Sequence, residues 1–118
     1  MQIDLKKIDL NNLFESFKDL DIRVGTIIHA ELFAEAINPS YKLKIDFGEL
    51  GILKSAAQIT KNYTIEMLIG FQIVAVVNFP KKQIANFISE CLVLGVVKGD
   101  SVILLTPNNK TTNGLKIA

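Results

Sequence analysis

Residues 41–79, YKLKIDFGELGILKSAAQITKNYTIEMLIGFQIVAVVNF, decide the fold. Tyr41, Leu43, Ile45 and Phe47 alternate with Lys42, Lys44 and Asp46, the period-two signature of a strand with one apolar and one basic face. Gly48 and Gly51 bracket a turn, and residues 52–59 read as the next strand, leaving through Ser55, Ala56 and Ala57. Thr64 can cap a brief helix over residues 65–68, ended by Gly70, before residues 73–79 return as a strand dense in β-branched side chains.

Upstream, alternation from Asp21 to about Glu35 places Ile22, Val24, Thr26, Ile28, Ala30 and Leu32 on one side and Arg23, His29 and Glu31 on the other. Gly25 interrupts this strand where a bulge or bend would turn a barrel corner, and Asn38-Pro39-Ser40 is turn chemistry. Residues 11–20 open with Asn11 as a cap and space Leu13, Phe17 and Leu20 helically, so they predict a short amphipathic helix whose stripe must cover something. Downstream, residues 79–83 begin an irregular polar stretch, residues 91–97 resume as a buried strand, Lys98-Gly99-Asp100 turns, and residues 102–105 form another strand. Asn113-Gly114 marks a last turn. Five main strands with a helix between the third and fourth predict an all-β, five-stranded OB-fold barrel. A helical extension over residues 1–20 and a C-terminal extension over 106–118 exceed that barrel and are candidates for an interface. No repeat or linker divides the chain, so one domain over 1–118 is expected.

The 118 residues suffice for one core but leave no room for a second, substrate-holding domain. No apolar run approaches the roughly 20 residues of a membrane-spanning helix. The start, with Asp4, Lys6, Lys7 and Asp9 among scattered apolar residues, lacks the pattern of a secretory signal, and a single cysteine suits a reducing compartment, so cytoplasmic residence is expected. Cys91, inside an apolar run, reads as a small buried hydrophobe.

Net charge is only +1, yet its distribution is uneven. Residues 1–40 carry four basic and seven acidic side chains, whereas residues 41–82 carry six lysines against three acids, making the middle of the chain the candidate anion-binding face. One histidine and one cysteine cannot supply a zinc site. No phosphate loop, nucleophile elbow or acid-base pair is present, so neither a cofactor nor an enzymatic activity is expected. Lys54, Ser55, Gln58 and Lys61, then Asn78, Lys81 and Lys82, then Ser89 and Glu90 would instead combine ammonium groups with amides, hydroxyls and a carboxylate if they meet on one barrel face. That is chemistry for gripping phosphates and reading unstacked bases. Phe79 and Phe87 are candidate stacking faces; core packing is the competing role, evenly balanced for Phe87 and favoured for Phe79.

The runs Asp21-Ile22-Arg23-Val24-Gly25-Thr26-Ile27, Leu43-Lys44-Ile45-Asp46-Phe47-Gly48, Ser55-Ala56-Ala57-Gln58-Ile59-Thr60, Val76-Val77-Asn78-Phe79-Pro80, Ser89-Glu90-Cys91-Leu92-Val93-Leu94-Gly95 and Asn113-Gly114-Leu115-Lys116-Ile117 resemble the tRNA-binding domain family. Within it they look most like the stand-alone bacterial CsaA-type branch, described as export-related chaperones. The resemblance covers residues from about 14 to 118. It implies an OB barrel, a homodimer built with the terminal extensions, and binding of tRNA, with unfolded or preprotein chains as the alternative partner. Asn78, Lys81, Lys82, Ser89 and Glu90 fall where the family places RNA contacts, with Lys54, Ser55, Gln58 and Lys61 on the adjoining strand and its exit. Gly25 is structural in this reading, and Arg23 stands between a barrel ion pair and an RNA contact. Gln83 and Ile88 replace basic residues common in the family loop, and Asn86 stands where glycine is usual and can take its left-handed conformation. Fewer cations imply weaker phosphate binding and a flatter salt dependence, while an exposed Ile88 would favour an apolar partner.

Overall fold

The computed structural model describes the backbone of residues 10–118; the expectations for residues 1–9 lie outside the described residues. Helix α1 spans Leu10–Asp19, followed by β1 (Ile22–Leu32), β2 (Tyr41–Asp46), a 3-10 turn (Gly48–Leu50), β3 (Ile52–Ala57) and helix α2 (Ile65–Leu68). Then come β4 (Gln72–Val76), β5 (Lys82–Ile84), β6 (Phe87–Ser89), β7 (Leu92–Val93), β8 (Gly95–Lys98) and β9 (Ser101–Leu104). Five strands form one antiparallel sheet in the order β3-β2-β1-β4-β7, curled into a nearly closed barrel of the OB type.

Alternation builds the core. Leu43, Ile45 and Phe47 from β2 and its exit are fully buried with Ile27, Leu68 and Ile73, while Lys44 between them is exposed. Each large aliphatic or aromatic side chain removed from water in this way contributes about 1.5–3 kcal/mol before entropy is subtracted. The Thr64 hydroxyl accepts from the Met67 N–H and starts α2 between strands three and four, as the sequence predicts, and Leu68 of this helix is fully buried in the core. Ile22, Val74 and Val76 form a smaller cluster with Leu20, Leu94 and Ile117.

β1 is long because it serves two neighbours: residues 22–26 pair with β4, and residues 26–32 with β2. The register shift lies between Ile27 and His29, not at Gly25. Ile28 is the extra residue and is exposed, as is Leu32, so the predicted single inward row breaks at the bulge. Gly25 is needed for close packing instead. A Cβ there would lie 2.7 Å from Ile45 Cγ2 and from the Phe47 ring.

The C-terminal extension docks along the half of β1 that β2 leaves unpaired. Gly114 N–H donates to Val24 O at 2.7 Å, Val24 N–H to Leu115 O at 3.0 Å, and Ile117 N–H to Ile22 O at 2.8 Å. The expected Asn113-Gly114 turn is present, with Gly114 at φ +90° and so near Phe47 that a Cβ would approach its carbonyl oxygen to 2.4 Å.

Four expectations are corrected. Helix α1 begins at Leu10, placing Asn11 inside its first turn, and Leu13, Phe14 and Phe17 are exposed, while Leu20, just past the helix, packs on the Ile22, Val74 and Val76 cluster. Strands three and four stop at Ala57 and Val76, short of residues 59 and 79. The stretch read as irregular is the hairpin β5–β6, joined by Ala85-Asn86, and the left-handed residue is Ala85 at φ 52° and not Asn86. Residues 91–97 are not one buried strand: β7 pairs with β4, the chain turns away at Leu94, and β8 pairs with β9 with Val96 and Val97 exposed. An apolar run records hydrophobicity but not the strand that will cover it.

Candidate nucleic-acid interface

Antiparallel pairing sets Lys44 opposite Lys54 and Lys42 opposite Ala56, so strand alternation puts all three lysines on the outer face of β2–β3. In an OB barrel this face and its flanking loops carry the ligand. Here the β1–β2 connection and the β5–β6 hairpin bound a groove of about 430 Å³, with Glu35, Ile37, Gln58, Lys82 and Ile84 in its walls. A second groove of about 380 Å³ shares Gln58, Lys82 and Ile84 and continues past Ser89 and Leu92.

Lysines and aromatic rings are interleaved at the rim. Lys42 Nζ lies 4.9 Å from the Phe33 ring centroid and 5.7 Å from that of Phe87, and Lys54 Nζ lies 5.4 Å from Phe87. The Glu35 carboxylate stands 3.5 Å from Lys42. Lys81 and Lys82 are exposed at the entrance to the hairpin, and Lys82 pairs with Ser89 across it.

Several residues expected to meet RNA hold the barrel together. Glu90 Oε1 accepts from Lys54 N–H at 3.0 Å, and Glu90 N–H donates to Lys54 O at 2.7 Å. Ser89 Oγ accepts from Ala56 N–H at 3.2 Å. These contacts satisfy the outer edge of β3, where no ladder runs, and close the barrel. The other Glu90 oxygen lies 3.5 Å from Lys81 Nζ. Ser55 is 1 % exposed and its hydroxyl donates to Cys91 O at 3.0 Å, so it faces away from the groove. Beside it, burial pushes the Cys91 thiol up to about 12.

Two other candidates stand apart. Asn78 Oδ1 accepts from Asp21 N–H at 2.9 Å and its amide donates to Asp19 O at 2.8 Å, tying β4's exit to the α1–β1 junction. Lys61 pairs with Asp100 beyond the barrel, lowering that carboxyl's pKa through its hydrogen bond and charge. Arg23 is the barrel ion pair: its guanidinium bonds Asp21, which raises its pKa, and donates to Gly114 O at 2.9 Å. Phe79, for which the sequence favours core packing, lies at the surface, and Phe87, evenly balanced there, packs inward. Phe79 is 43 % exposed, while Phe87 is half-buried against two lysines and Phe33.

Lys42, Lys44 and Phe33 were outside the predicted site. The alternation of residues 41–46 already announced a basic face. Phe33 carried no signal, because its partner Phe87 sits on a hairpin that the sequence did not disclose. Among the described residues no helix is long and apolar enough to cross a membrane. Nor, among them, does any cluster of three or more His, Cys, Asp or Glu side chains offer a metal site.

The family model described as "Putative tRNA binding domain" matches residues 22–116. The crystal structure of chaperone CsaA from Bacillus anthracis str. Ames is similar with a TM-score of 0.86 and 58 % identity, over 89 % of this chain and 96 % of that one. The CsaA chaperone protein from Picrophilus torridus gives 0.84 and 55 %, over 89 % and 97 %. The methionine–tRNA ligase of Methanococcoides burtonii is 34 % identical over 102 residues, 86 % of this chain and 15 % of the ligase. The chain thus spans about a seventh of the length of the curated ligases it matches.

Proposed function

This chain belongs to the tRNA-binding domain family, in its CsaA-type branch, and on that premise we propose that it grips tRNA mainly by shape and phosphate contacts, as a cytoplasmic homodimer of one-domain subunits. The observation that carries this reading is the convergence of Lys42, Lys44, Lys54, Lys81 and Lys82 on the β2–β3 face and its hairpin. Lysines there neutralise phosphates without reading sequence, which suits a folded RNA recognised by its outline. Lys42, Lys44, Lys54, Gln58, Lys81 and Lys82 are the RNA contacts in this proposal, and exposed Phe79 takes the stacking role. Ser55, Ser89 and Glu90 support the surface from behind, and Asn78 holds the α1–β1 junction away from it.

The dimer is supported by apolar side chains that the described chain leaves in water: Leu13, Phe14 and Phe17 on α1, and Val96, Val97 and Ile103 on β8–β9. A second copy would cover them, at a gain of about 25 cal/mol per Å² of apolar surface. Two basic faces held in fixed relation then define a span on the RNA.

A second reading, a holder of unfolded or preprotein chains, is favoured by one observation: Ile37, Ile84, Leu92 and Ile88 leave apolar surface in and beside the grooves. It requires suppression of client aggregation that salt does not weaken.

The deciding variant is Lys81→Glu with Lys82→Glu. Both lysines are exposed and neither holds a barrel contact with the backbone, so the melting temperature stays within a few degrees while tRNA binding is lost. Retained tRNA affinity in the folded variant overturns the assignment.

A further inference from the structure

Phe87 belongs to the hairpin, yet two cations from the barrel sheet converge on its ring. Lys42 of β2 and Lys54 of β3 stand 5.7 and 5.4 Å from its centroid. Phe33, 2 % exposed, meets it edge-on at 5.5 Å with an interplanar angle of 64° and itself carries Lys42 at 4.9 Å. The rings form an aromatic cluster outside the barrel, roofed by ammonium groups. Without the rings, two long lysine side chains would spread over many rotamers, with Lys42 held by Glu35 at 3.5 Å. The negative face of an aromatic quadrupole attracts each cation by about 0.5–1 kcal/mol at partly exposed sites, and more where water is excluded.

Resting on the tRNA reading above, we propose that Phe87 is a positioning residue: its ring, backed by Phe33, holds Lys42 and Lys54 as a pre-ordered pair of phosphate contacts beside the groove. It touches the lysines and not the RNA. The ordering cost of two long side chains is then met in the folded protein and not on binding.

The test is a double-mutant cycle on tRNA affinity with Phe87→Leu and the pair Lys42→Gln with Lys54→Gln, accompanied by Phe87→Tyr and by proton–carbon NMR of the lysine side chains. In the wild type the ring current moves the Cε protons of Lys42 and Lys54 upfield, and Phe87→Leu removes that shift while Phe87→Tyr keeps it. Phe87→Leu weakens tRNA binding about tenfold, as the loss of two cation–ring contacts implies. It also flattens the log–log salt slope by about 1.5, as two lost ion contacts do. In the Lys42→Gln/Lys54→Gln background it costs nothing further, because its action runs through those lysines. Absent upfield shifts overturn the positioning role even if tRNA binds. An equal loss in the lysine-free background overturns it in favour of direct stacking on RNA. A wild type that binds no tRNA overturns the functional reading itself, whatever the spectra show.

Discussion

Glu90 Oε1 accepts a hydrogen bond from the backbone N–H of Lys54 at 3.0 Å, joining the segment before β7 to the outer edge of β3 without a strand ladder. The same carboxylate lies 3.5 Å from the Lys81 ammonium. One acid therefore closes the barrel and restrains a cation of the proposed RNA face.

These two roles separate by mutation. Glu90→Ala leaves the part-buried Lys54 N–H without its partner and lowers stability by about 1–3 kcal/mol in denaturant unfolding. Glu90→Gln keeps an acceptor oxygen, stays within about 1 kcal/mol of wild type, and frees Lys81 from its counter-charge. Its tRNA affinity at low salt rises. A Gln variant as unstable as the Ala variant would show that charge and not the hydrogen bond closes the seam.

Ala85 sits at φ 52° in the two-residue loop of the β5–β6 hairpin, where a Cβ is costly. Ala85→Gly relieves that cost, which outweighs the added entropy of the unfolded chain, so stability rises by about 0.5–1 kcal/mol, read as a higher midpoint of chemical unfolding. A drop in the midpoint would contradict the left-handed geometry.

Cys91 carries an alkaline signature. Its thiol pKa rises from the ordinary 9.0 to about 12 because burial disfavours the thiolate. Between those values the unfolded chain has lost the proton and the folded chain keeps it, so stability falls as pH climbs through that window and is unaffected by this group below it. Cys91→Ala loses stability overall but shows a shallower decline above pH 9. In the folded protein at neutral pH, a thiol reagent reacts only as fast as the chain opens. Immediate modification would show that the sulfur is accessible.

The barrel was legible because its strongest signals were local. Residues 41–47 alternate without exception, and Thr64 and Gly70 punctuate a four-residue helix, so periodicity and capping specified the central elements. The hairpin β5–β6 escaped because Ala85-Asn86 lacks the glycine that usually marks such a turn. The bulge at Ile28 escaped for a different reason: only the presence of both β2 and β4 beside β1 creates the shift. Within the site, exposed lysines were readable from charge and alternation. Whether Ser55, Asn78, Ser89 and Glu90 point to solvent or to a backbone partner depends on how the barrel closes, which residue type alone does not encode.

The central claim is that the basic β2–β3 face and its hairpin grip RNA through phosphates. Fluorescence anisotropy of labelled bulk tRNA, titrated with the protein across a salt series, tests it most directly. The account predicts saturable binding whose log affinity falls linearly with log salt, with a slope of about −3.5 to −4.5 for the five contacts Lys42, Lys44, Lys54, Lys81 and Lys82. No binding at low salt, or an affinity that salt leaves unchanged, would contradict it.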